Sequence, residues 1–80
     1  MVGVYLTSID ELSKTGKKQL EDGQYENALN SFQKAISLHQ NDPDLWNMKG
    51  VVLRSLGRYD EAVECFNKSL EIDPRDKHSS

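Results

Sequence analysis

Slid along itself by 34 residues, the chain meets its own pattern: Gly23-Gln24-Tyr25-Glu26-Asn27-Ala28 falls on Gly57-Arg58-Tyr59-Asp60-Glu61-Ala62. The same shift carries Gly16 onto Gly50, Phe32 onto Phe66, Lys34 onto Lys68 and Asp42 onto Asp76, without insertion or deletion. A period between about 20 and 50 residues marks a repeat architecture, in which one supersecondary unit is copied and stacked. Whatever this chain folds into must therefore be built twice from one plan.

Within each copy the apolar residues step by threes and fours, the spacing that places them on one face of a helix. Tyr25, Ala28, Leu29, Phe32, Ala35 and Ile36 form that stripe in the first copy, and Tyr59, Ala62, Val63, Phe66, Ser69 and Leu70 in the second. A helix precedes each of these, carried by Ile9, Leu12, Gly16 and Leu20, and then by Leu45, Trp46, Gly50, Leu53 and Leu56. The pattern predicts an all-α fold of two antiparallel helix-turn-helix hairpins, with helices near 9–22, 25–38, 43–56 and 59–72. It divides the chain into an N-terminal extension (1–8), a first repeat (9–42), a second repeat (43–76) and a short tail (77–80).

Capping chemistry supports the boundaries. Ser8 and Glu11 read as a Ser-x-x-Glu capping box, and Asp42 before Pro43 as an N-cap followed by a residue preset for the first helical position. Asp73-Pro74 closes the last helix. Gly23 and Gly57 stand where each first helix turns, a place that commonly needs a left-handed residue. Gly16 and Gly50 lie inside helices, where glycine costs about 1 kcal/mol relative to alanine. A close helix approach would offset that cost, with small Gly16 and Gly50 meeting small Ala28 and Ala62 while Phe32 and Phe66 pack alongside.

These residues resemble the tetratricopeptide repeat, whose 34-residue pattern runs aromatic or Leu, Gly, Tyr, Ala, aromatic, Ala, Pro. The second copy fits better, through Trp46, Gly50, Tyr59, Ala62, Phe66 and Pro74, with Leu53 and Ser69 as mild departures. The first fits through Leu12, Gly16, Tyr25, Ala28, Phe32 and Ala35, but has Gln19 in place of a large core residue and Gln40 in place of the terminal proline. The resemblance implies a right-handed stack of hairpins, an α-solenoid fragment, with a concave face that binds extended peptides or partner helices. That groove would be lined by the first helix of each unit, through Asp10, Ser13, Lys17 and Leu20, then Asp44, Asn47, Val51 and Arg54. Ser13, Lys17, Asn47, Val51 and Arg54 are the expected partner-binding residues. One subtype of the family clamps carboxylate ends of chaperone tails, but the matching positions here hold Ser13, Lys17 and Met48, so no such clamp is expected.

Composition narrows the function further. A net charge of −3 gives no electrostatic footprint for nucleic acid. Related hairpin repeats that read RNA have a period nearer 35 and a basic groove, unlike this chain. No apolar run reaches the roughly 18 residues a membrane helix needs, and residues 1–8 lack the build of a signal peptide. The single Cys65 permits no internal disulfide and fits a reducing cytoplasm. His39 and His78, the two imidazoles, have no metal-ligand spacing around them, and nothing pairs a nucleophile with a base or cradles a phosphate. No enzyme activity, metal or cofactor is expected. Trp46 reads as core, with a binding anchor as the alternative.

A repeat array of this kind needs its last apolar face covered, and the sequence supplies no further helix after the one carrying Val63, Phe66 and Leu70. The primary expectation is thus a scaffold or adaptor that binds another protein or peptide in its groove. The alternative is a self-association module, a homodimer through Val63, Phe66 and Leu70, with Val2, Val4, Tyr5 and Leu6 joining the packing. A piece of a longer array is a third explanation of the same bare face.

Overall fold

A computed structural model describes the backbone of residues 2–73 and the side chains of residues 9–73. Four helices follow one another: α1 (Val2–Glu21), α2 (Tyr25–Leu38), α3 (Pro43–Ser55) and α4 (Tyr59–Ile72). Among the described residues there is no strand. α1 packs along α2 and α3 along α4 as two hairpins, while α2 against α3 joins the hairpins and α1 touches α3. The packing expected of Val2, Val4, Tyr5 and Leu6, and the roles expected of Pro74, Asp76 and His78, lie outside the described side chains.

The start of the first helix corrects the sequence reading. α1 begins at Val2 rather than near residue 9, so Ser8 sits inside a continuous helix and the Ser8–Glu11 capping box has no helix start to cap. A capping motif competes with helix propagation only where the preceding residues leave the helical region, and residues 2–7 stay in it. The signal at Asp42-Pro43 held because proline forbids helix before it. Asp42 is extended (φ −99°, ψ 107°), its carboxylate accepts from the Asp44 N–H at 3.0 Å, and Pro43 opens α3.

Each hairpin turns through a glycine with positive φ, +83° at Gly23 and +81° at Gly57. Around them the same two hydrogen bonds close both helix ends. The Gln24 N–H donates to Gln19 O (2.8 Å) and the Gly23 N–H to Leu20 O (3.2 Å); the Arg58 N–H donates to Leu53 O (2.9 Å) and the Gly57 N–H to Arg54 O (3.0 Å). This is the Schellman arrangement, which needs a left-handed residue at its corner. The next helix starts at once, and residue pairs at the same offset brace it. In the first hairpin Asn27 Nδ2 donates to Gln24 Oε1 (3.0 Å); in the second the Arg58 guanidinium grips Glu61 with two donors, one at 3.1 Å. That bond holds the Glu61 carboxyl below the usual carboxylate range and raises Arg58 above its own.

The core runs through both hairpins as Ala28, Leu29, Phe32, Ala35, Ile36, Leu45, Val52, Leu53, Ala62 and Cys65. The interior glycines meet a different partner from the one expected. A Cβ built on Gly16 would lie 2.7 Å from the Phe32 ring, and one on Gly50 2.6 Å from the Phe66 ring. The ring edge, not an alanine, fills the space a side chain would need. A flat ring entering a notch in the facing helix buries more apolar surface than two small residues touching, at the same interhelix distance.

One departure of the first repeat from the second also finds its cause. Gln19 and Ser31 stand where the second repeat has Leu53 and Cys65. The buried Ser31 hydroxyl donates to Gln19 Oε1 at 2.7 Å, with the Asn27 carbonyl as a second acceptor at 3.2 Å. The two polar residues arrive together and satisfy one another, as buried polar groups must.

Two outcomes follow for stability, both read by urea unfolding. Gly16→Ala drives a methyl into Phe32, which is fully buried and has no room to yield; overpacking outweighs the helix-propensity gain, for a loss of about 1–2 kcal/mol. Gly50→Ala is milder, because Phe66 is half-buried and its ring has room to swing; equal losses at the two sites would refute this account. Ser31→Ala leaves the Gln19 carbonyl oxygen without its donor and costs about 1 kcal/mol, whereas Gln19→Leu with Ser31→Cys is neutral or stabilising. A double variant weaker than the single one would show that the pair does more than satisfy itself.

Candidate functional site

Because α1 and α3 occupy the same place in successive hairpins, their outward stripes lie side by side. Between them is a hollow of ≈ 290 Å³. Ser13 and Lys17 reach it from α1, and Asp44, Asn47 and Met48 from α3, with Asp42 at the helix start. Three of the five expected groove residues, Ser13, Lys17 and Asn47, are thereby brought together from two different repeats. Val51 is half-buried and Arg54 exposed further along α3, and neither lines this hollow. Lys17 consequently faces Asp42 and Asp44 rather than sharing its hollow with Arg54, and the lining has mixed charge with an acidic excess.

Asp42, Leu45 and Met48 are the lining residues outside the expected stripe, and Leu45 belongs to the core. Asp42 was accounted for by its N-cap, which it also makes, and Met48 falls one position beyond the stripe through Asn47. A long flexible methionine reaches across that offset.

The residues expected on the other face separate. Val63 is 54% exposed and Tyr59 64%, while Phe66 and Leu70 are half-buried and the Phe66 ring is committed to Gly50. Val63 corresponds to Leu29, which is buried because α3 packs over α2; among the described helices nothing lies over Val63.

Trp46 divides its surface between two roles. It packs against the core, its Nε1–H donates to the Gln40 carbonyl at 2.8 Å, and its ring lines a cleft between α2, α3 and α4. Cys65 is buried, and burial pushes its thiol up, opposed by the charge of nearby Lys49. A thiol so placed is a core residue rather than a nucleophile. His39 is exposed, and among the described residues no group of three or more His, Cys, Asp or Glu is placed to hold a metal. No helix of the described residues is long and apolar enough to cross a membrane.

Comparison with known proteins agrees with this geometry. A tetratricopeptide repeat model matches residues 43–76, and a second TPR repeat model matches residues 16–53. A protein of Methanocaldococcus jannaschii, named only as uncharacterised, is 42% identical over 65 residues, spanning 81% of this chain and 76% of its own length. Such repeats are non-catalytic modules that mediate protein–protein interaction. With its 34-residue period, its glycine-and-ring hairpins and these matches, the chain belongs to the tetratricopeptide repeat family.

Proposed function

We propose that the chain is a scaffold or adaptor that takes an extended peptide or a partner helix along the face shared by α1 and α3. The observation that carries this reading is the hollow to which Ser13 and Lys17 of one repeat and Asn47 of the next contribute together. Side chains from two rigid helices, held at a fixed separation by the hairpin packing, can present hydrogen-bonding groups with little ordering cost on binding. Val51 and Arg54 extend the surface by further turns of α3. With Lys17 set against Asp42 and Asp44, this face suits a polar or basic segment better than an acidic one. A reducing compartment such as the cytoplasm suits the buried free Cys65.

Peptides selected from a displayed random library against the native chain provide the test. The Asn47→Ala, Val51→Glu double variant weakens them by about tenfold or more, the equivalent of 1.4 kcal/mol, and leaves the unfolding midpoint in place. Selected peptides that bind both forms equally would reject the groove.

The exposure of Tyr59 and Val63 favours a second reading, self-association through α4 with Phe66 and Leu70 at its margin. Sedimentation across micromolar concentrations decides it. A mass that rises above 9.1 kDa and returns to it in a Val63→Glu variant supports the dimer; a constant 9.1 kDa rejects it.

A further inference from the structure

A second surface lies on the opposite flank of α3. The cleft between the end of α2 and the facing sides of α3 and α4 has a volume of ≈ 610 Å³ and shares Gln33, Trp46, Lys49 and Lys68 with an adjoining hollow of ≈ 260 Å³. None of its residues belongs to the α1–α3 hollow. We propose that this cleft docks a short acidic peptide segment, with an apolar side chain against Trp46 and Ile36 and a neighbouring carboxylate held between Lys49 and Lys68.

Charge is the first argument. The chain has 13 acidic residues against 10 basic ones, yet the two charged side chains lining the larger cleft are both lysines. They converge on one ring from separate helices, Lys49 Nζ at 5.3 Å and Lys68 Nζ at 6.0 Å from the Trp46 centroid. Cations near the surface gain little from such a ring. Among the described residues neither lysine makes an ion pair. An anion seated between them relieves their mutual repulsion and pairs both.

The ring itself is already fixed. Its Nε1–H is bonded to the Gln40 carbonyl, so the half-buried indole is held in one orientation beneath the two ammonium groups, and only the part of its surface that lines the cleft is left for apolar contact. The first repeat does not carry the same set: under the 34-residue shift Lys68 corresponds to Lys34, but Trp46 and Lys49 correspond to Leu12 and Thr15. The direction of the segment follows from the acids nearby. Glu61 and Glu64 border the smaller hollow, with Glu61 gripped by Arg58, so an acidic segment lies toward the end with Gln40 and Asn41, which line the larger cleft alone.

Trp46 is the only tryptophan, so its emission reports the cleft directly. The probe is a terminally blocked peptide of alternating glutamate and leucine, titrated against the full chain, with the same peptide carrying glutamine for glutamate as its control. The expected result is a saturable emission change that weakens by about tenfold or more, some 1.4 kcal/mol, for the glutamine peptide and for the Lys49→Gln, Lys68→Gln variant. Binding stays within twofold in the Asn47→Ala, Val51→Glu variant, which separates this surface from the groove. Lys68→Gln alone, at an exposed position on the rim of the cleft, gives an intermediate loss and guards against misfolding of the double variant. No emission change at millimolar peptide, equal binding of the glutamine peptide, insensitivity to the lysine changes, loss in the groove variant, or the same response to inorganic phosphate would each overturn the proposal.

Discussion

The contact on which the whole arrangement depends is a phenylalanine edge seated in the space where a glycine lacks its Cβ. It occurs twice, Phe32 on Gly16 and Phe66 on Gly50, and each time it sets how closely the two helices of a hairpin approach. Helix separation in turn fixes everything built on the helices. If α1 and α2 stood further apart, the contact of α1 with α3 and the shared hollow between them would shift as well. Interiors pack at nearly crystalline density, so the notch transmits its dimension outward rather than absorbing change.

The turns play the complementary role of fixing direction. Gly23 and Gly57, in their left-handed corners, reverse the chain within three residues while the two closing bonds satisfy two of the carbonyls at each helix end. Between the hairpins the device is different: Asp42 and Pro43 end one unit and start the next with a side-chain cap. One junction uses backbone conformation and the other uses side-chain chemistry. Both are local, which suits a fold whose stability is a sum of neighbouring contacts.

Much of this was legible in the residues because the repeat printed it twice. The period, the four helices, the left-handed glycines and the Asp42-Pro43 start were all readable, since each is a short-range rule acting on a named residue. The extent of α1 was not: the Ser8–Glu11 pattern has the chemistry of a cap, and only the conformation of residues 2–7 decides whether it is used as one. The glycine contacts were read as small against small, because spacing identifies which residues are near but not which atoms fill a notch. For the candidate groove, Ser13, Lys17 and Asn47 followed from helical spacing, whereas Met48 and Asp42 depended on side-chain reach and on a residue serving two purposes. Trp46 showed the limit of a choice between core and surface, since its ring belongs to both.

The Gln19–Ser31 pair has a consequence for assembly. Chains made of near-identical hairpins risk exchanging helices between units or between molecules, because an apolar stripe does not distinguish its own partner from a copy. Were α1 to pair with α4 instead of α2, the Gln19 amide would face Cys65, a weak donor in an apolar setting, instead of the Ser31 hydroxyl. The half-buried amide would then lose its strong partner, and with it the hydrogen bond. The pair acts as an address: it makes the two hairpins chemically distinguishable where their shapes are nearly the same.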